Sequence, residues 1–150
     1  MPGSYRLQES GWAGKYRSGM EASTSAHGSA PVTSVGRAHR VLALVVMAGG
    51  VLQFLLAGYA VFAGSSFDAH AAVGTALTVV ALIVLVLAFV GRREAVPASA
   101  LLFGLFVLQN VLGAVGDSAP ALGALHPVNG LAILGAAMLA AAGRPIGRPH

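Results

Sequence analysis

The chain has 150 residues, 56% of them hydrophobic and only 9% charged, where an average soluble domain carries roughly 25% charged residues. So little charge does not cover a water-exposed surface, which makes lipid the expected solvent; the net charge of +4 comes from arginines beside apolar runs and reads as a topology signal rather than a nucleic-acid footprint. The absence of cysteine excludes disulfides, iron–sulfur clusters, thiolate metal sites and cysteine nucleophiles.

Residues 1–36 are rich in Ser, Gly and Ala, with scattered charges and three aromatics, Tyr5, Trp12 and Tyr16. No helical or strand period persists there, and such a segment buries too little apolar area to offset its ordering entropy. A disordered tail is expected over 1–36, a transmembrane domain over 37–144 and a short C-terminal tail over 145–150.

Four apolar runs follow, each close to the ~20 residues that cross a bilayer core. The first is Val41–Phe62, preceded by Arg37 and Arg40; it exceeds the ~7–15 residues of a secretory signal's apolar core. The second, Ala71–Val90, lies between Asp68 and Arg92-Arg93. The third, Ala98–Val115, follows Pro97, which suits a helix start. The fourth runs from about Ala121 to Ala142 and stops at Gly143-Arg144-Pro145, with Pro127 placing its regular helix near His126.

From Val41 onward every arginine lies after the second run (Arg92, Arg93) or in the C-terminal tail (Arg144, Arg148). The other two loops hold Asp68 and Asp117 but no Lys or Arg. Positive charge concentrates on the cytoplasmic side of membrane proteins, so the N-terminus, the middle loop and the C-terminus are expected there. Short connections make successive helices antiparallel neighbours. The expected fold is all-α, a four-helix transmembrane up-down bundle. Glycines at 50, 58, 74, 104, 113, 130 and 135 are expected to bring helix backbones close together.

The two halves repeat. Gln53 is followed 17 residues later by His70 and four after that by Gly74; Gln109, His126 and Gly130 have the same spacing, 56 residues on. The bundle is thus read as two pseudo-repeated helical hairpins inserted with the same orientation, related by an axis along the membrane normal. That axis sets His70 and His126 at one depth, with Gly74 and Gly130 one turn deeper on the same helix faces. Histidine is a common heme-iron ligand, and bundle cores are where helical proteins build cofactor sites. The candidate site is therefore heme b with His70 and His126 as axial ligands, Gln53 and Gln109 as hydrogen-bonding support, and Gly74 and Gly130 leaving room for a flat ring. The outer loops supply no cation for heme propionates, a task left to backbone N–H groups at the helix starts.

The competing expectation is a non-catalytic membrane protein acting through partner or lipid contacts, in which the same polar residues only bond helices together. Asn110 and Asn129 are expected to make interhelical hydrogen bonds. His27, His39 and His150 are placed in flexible ends without a role. No span contains a carboxylate, which disfavours a proton-coupled exporter. No phosphate loop, zinc-protease helix or nucleophile elbow occurs, so no catalytic residue is singled out and an enzyme is not the expectation. The expected partners are the lipid bilayer and heme; no protein partner is indicated.

The stretch from Arg40 to Ala142 resembles a family of small four-span bacterial membrane proteins of unassigned activity, through Gln53-x-x-Leu56-Ala57-Gly58, Phe67-Asp68-x-His70-x-x-x-Gly74, Leu108-Gln109 and Leu125-His126-Pro127-Val128-Asn129-Gly130. The resemblance implies four helices in a bacterial cytoplasmic membrane and no known reaction. More distantly, Leu108-Gln109-x-x-Leu112-Gly113 followed by His126 is similar to a hairpin of the heme A synthase family, whose duplicated bundles carry paired histidines near the outer face. The present chain has half that number of spans, no cysteine pair and no matching loop carboxylate. Only ligation by His70 and His126 is implied, and not oxidation of a heme methyl group.

Overall fold

The computed structural model describes residues 34–143. They form α1 (Ser34–Ala63), α2 (Asp68–Gly91), a 3-10 turn (Arg93–Ala95), α3 (Val96–Val115), the one-turn α4 (Pro120–Gly123) and α5 (Leu125–Ala142). Four of these helices, with the 3-10 turn extending α3 and α4 extending α5, are long and apolar enough to cross a membrane. Among the described residues all regular structure is helical.

Helix α1 begins at Ser34, so residues 34–36 are its first turn and not the end of the disordered tail expected from the sequence. The expected tail over 1–33, and with it His27, lies outside the described residues, as do 144–150 and His150. Pro97 stands in the first turn of α3 and Pro120 in that of α4, where a missing N–H breaks no helical bond. Gly143 ends α5 at φ 65°, a left-handed conformation that glycine adopts without a Cβ clash.

The four long helices close a ring: α1 packs on α2, α2 on α3, α3 on α5 and α5 on α1. The pairs across the diagonals, α1 with α3 and α2 with α5, are not packing neighbours. Small side chains fill the interior, including Ala43, Ala81, Ala98, Ala136, Ala137 and Ala140, with Val46, Val84, Leu102 and Phe106 between them. Large apolar side chains such as Leu55, Phe62, Val90, Leu131 and Met138 are on the outside. Small inside and large outside is the pattern expected when lipid is the solvent, because close packing rather than water exclusion then holds helices together.

The glycines serve that packing differently from the expectation. A Cβ at Gly50 would meet Leu134, one at Gly74 would meet the Gln53 amide and one at Gly130 would meet Phe54, all side chains of a facing helix. These positions receive knobs rather than bring backbones together. At Gly58, Gly104 and Gly135 a Cβ would meet nothing within 4 Å, so none of the three is at a helix contact.

Candidate functional site

The two connections 64–67 and 116–124 close one end of the ring. Beneath them the helices part around a cavity of about 710 Å³, within the ~300–1,000 Å³ of small-molecule and cofactor sites. Its apolar lining includes Phe54, Phe67, Phe106 and Ile133; its polar lining includes Gln53, His70, Gln109, Asn110 and His126, with Asp117 in the second connection. All six residues singled out by the repeat, Gly74 and Gly130 included, line this one space.

His70 and His126 come from α2 and α5, helices that face each other across a diagonal. Their ring centroids are 5.9 Å apart with planes inclined at 49°. Each imidazole sits within the first turn of its helix, at residue three of α2 and residue two of α5. Phe67 and Ala124 stand at the two helix starts without a side-chain cap.

His70 is held firmly. Its Nδ1–H donates to the backbone carbonyl of Gln53 at 3.2 Å, and the Gln53 amide Nε2 donates back to the His70 carbonyl at 3.0 Å. A carbonyl only accepts, so Nδ1 carries the proton, and in the neutral ring Nε2 keeps its lone pair. The ring of Phe67 stands edge-on to His70, with centroids 6.0 Å apart and planes at 90°. The price of the arrangement falls on Gln53, whose Oε1 is buried without a hydrogen-bond partner.

His126 meets the backbone of Gln109 in the same way, the counterpart of the Gln53 contact; the two halves differ in the glutamine side chain. The side chain of Gln109 is engaged elsewhere: its Oε1 accepts from Asn129 Nδ2 at 2.6 Å, and the same Nδ2 donates to the Leu105 carbonyl at 2.9 Å. Asn110 Nδ2 reaches Thr78 Oγ1 of α2 at 3.2 Å as well as the Phe106 carbonyl at 3.0 Å. Both asparagines thus make interhelical bonds, as the sequence suggests.

Gly74 and Gly130 do not present an open face to a flat ring. The Gln53 amide lies 2.6 Å from where a Cβ of Gly74 would stand, and the Phe54 ring 3.1 Å from that of Gly130. Their role in this state is to admit those side chains.

The opposite end holds a polar pair that sequence reasoning passed over. His39 is fully buried, and its Nε2 lies 3.0 Å from Ser99 Oγ. This bond joins α1 to α3 across the other diagonal. Nearby, Arg92 pairs with Glu94 at 3.1 Å, and its guanidinium lies where a Cβ of Gly143 would stand. The available signal was helical spacing: His39, Ala43, Val46 and Gly50 share one face of α1, and all four are buried.

Chemically, the cavity offers two imidazoles, three primary amides and an apolar wall. Among the described residues no group of three or more His, Cys, Asp or Glu side chains converges as a metal site. The fold and cavity define a class: a multi-span helical protein of membrane composition with a largely apolar chamber at one end that carries a few polar groups. A family model described as "Family of unknown function (DUF6220)" matches residues 53–115, which takes in Gln53, His70, Gly74 and Gln109 and stops short of His126. No curated protein and no solved structure matches the chain.

Proposed function

We propose that this chain is a bacterial cytoplasmic-membrane protein that binds heme b between His70 and His126 and serves electron transfer or heme handling. In this reading it is an up-down bundle of two pseudo-equivalent hairpins with both termini in the cytoplasm, and the cavity opens toward the outer face. The contacts support an antiparallel course: Gly49 faces Leu77 while Gly91 faces Val35, and Gly113 faces His126 while Gly130 faces Gln109.

The observation that carries the proposal is the convergence of two imidazoles from non-neighbouring helices on one cavity, 5.9 Å apart. A bare ion seeks about four or more donors, and two imidazoles are too few. A tetrapyrrole supplies four nitrogens of its own and leaves two axial positions. Two nitrogen–metal bonds of about 2.0–2.1 Å, plus ~1.1 Å from each nitrogen to its ring centre, separate centroids by about 6 Å. Donor set, spacing and volume therefore fit. The lining gives the heme's carboxylates no cationic partner and carries Asp117, so those groups belong at the mouth, in water.

Purified protein titrated with hemin in detergent is expected to develop a Soret band and, after reduction, split visible bands; replacing both histidines by alanine is expected to abolish them. Protein that stays colourless overturns the proposal in favour of a non-catalytic bundle acting through partner or lipid contacts. The Gln109–Asn129 bond is the observation that favours this second reading, because it uses a repeat residue purely to join α3 to α5.

A further inference from the structure

We infer that heme enters the cavity sideways, out of the bilayer, through the seam between α2 and α3. This inference rests on the heme reading and adds the route of the ligand and the form in which it arrives, dissolved in lipid.

Four helices in a ring have four seams, and at the cavity end these differ. The connection 64–67 ties α1 to α2 there, and the Gln53–His70 pair closes the seam below it. The connection 116–124 ties α3 to α5, and the Gln109–Asn129 bond closes that seam. No connection joins α1 to α5, but the Phe54 ring fills the space over Gly130, and Leu134 fills that over Gly50. The seam between α2 and α3 is tied only at the far end, by the turn Arg93–Ala95. Its one side-chain hydrogen bond among the described residues runs from Asn110 Nδ2 to Thr78 Oγ1 at 3.2 Å. Between that bond and the connections stand Ala71 and Thr75, on the Thr78 face of α2, and Gly113, on the Asn110 face of α3. All three line the cavity and are exposed at the surface. Small residues that belong to a cavity wall and to the outer surface at once mark an opening. Of the neighbouring helices in the ring, α2 and α3 are also the least extensively packed.

The chemistry of heme suits this path. It is an apolar disc with two carboxylates, so in a bilayer the ring stays in hydrocarbon and the carboxylates stay at the water interface, as in other amphipathic groups. His70 and His126 lie in the first turns of their helices, close to that interface. Sliding through the seam keeps each part of the molecule at its own depth. Descent from above would carry the ring through water, which disfavours exposed apolar surface.

The test uses the full chain in phosphatidylcholine vesicles, with heme supplied in a second set of vesicles and the Soret band followed in time. The chain has no cysteine, so a pair made by Thr78→Cys and Asn110→Cys can be bridged without competing thiols. The reduced pair is expected to take up heme, and the disulfide form to do so about tenfold more slowly or less, with recovery when a phosphine reductant is added. A pair loaded before oxidation is expected to keep its spectrum. Ala71→Trp, which adds bulk to the seam and keeps both histidines, is expected to slow uptake likewise and to reach the wild-type spectrum in the end. Leu55→Trp, on the outside of α1, is expected to leave the rate unchanged. A pair that loses heme on oxidation is distorted by the bridge, and Ala71→Trp then decides alone. Uptake as fast in the bridged as in the reduced pair, or as fast in Ala71→Trp as in wild type, overturns the lateral route while leaving heme binding intact. Protein that takes up no heme in any form removes the underlying reading and the route with it.

Discussion

The first and second halves of this bundle use the same three residue types at the same spacing and settle into different hydrogen bonds. In the first, Gln53 and His70 clasp one another through backbone carbonyls. In the second, the Gln109 side chain is bound to Asn129, while the His126 ring still meets the Gln109 backbone. The position that differs is Val73 in one half and Asn129 in the other, and only Asn129 offers an amide to the neighbouring glutamine. The lesson is that a repeat preserves where side chains stand more faithfully than what they bond to. A single polar neighbour, buried where water does not compete, redirects an amide.

The most direct way to break the comparison is to copy the second pattern into the first half. Val73→Asn places an amide where it meets Gln53 and the Gly49 carbonyl, the counterpart of Leu105. The Gln53 amide is then expected to leave the His70 carbonyl, while the ring keeps its Nδ1–H bond to the Gln53 backbone, so heme affinity is expected to fall by less than about tenfold. Optical titration of the variant beside wild type checks this; a fall of about 100-fold would mean that the Gln53 side chain, and not its backbone carbonyl, sets the orientation of His70.

A second effect sharpens the comparison one turn deeper. Gly74→Ala drives a methyl into the Gln53 amide, 2.6 Å away, whereas Gly130→Ala meets the Phe54 ring at 3.1 Å. The first must dislodge a hydrogen-bonded group and is expected to cost about 1–3 kcal/mol, in the range of overpacking. The second asks an aromatic ring to shift by a few tenths of an ångström and is expected to cost less than the first. Unfolding in mixed micelles with rising sodium dodecyl sulfate measures both, and the reverse order would contradict the asymmetry between the halves.

The bundle was legible from sequence because lipid leaves few options: with no water to satisfy backbone groups, four long apolar runs must be helices. The candidate site was legible because the 56-residue repeat marks Gln53, His70, Gln109 and His126 together, and the structure brings them to one cavity. Their bonding was not legible, since it depends on Val73 and Asn129, which differ between the halves and so stand outside the repeat. His39 was missed for a related reason. Its counterpart is Ala95, and Ser99 answers to Ala43; all four are fully buried, so the polar pair belongs to the end of the bundle where the repeat has diverged. Flanking Arg37 and Arg40 make that stretch look solvated, although a helix turns every third or fourth residue inward.

The smallest predicted effect concerns glycines that look alike in sequence and are not alike in space. Gly58, Gly104 and Gly135 lie in mid-helix with nothing within 4 Å of the point where an alanine methyl would stand, so the packing argument that applies to Gly74 and Gly130 does not reach them. Alanine at each relieves the glycine cost in a helix, ~1 kcal/mol in water and less where lipid already enforces helical backbone. Gly58→Ala, Gly104→Ala and Gly135→Ala are therefore expected to leave stability unchanged or raise it by up to about 0.5 kcal/mol each, in the same micellar unfolding assay. A clear loss at any of them would reveal a neighbour that a single chain does not contain, such as a second copy packed on that face, because no contact within the bundle accounts for it.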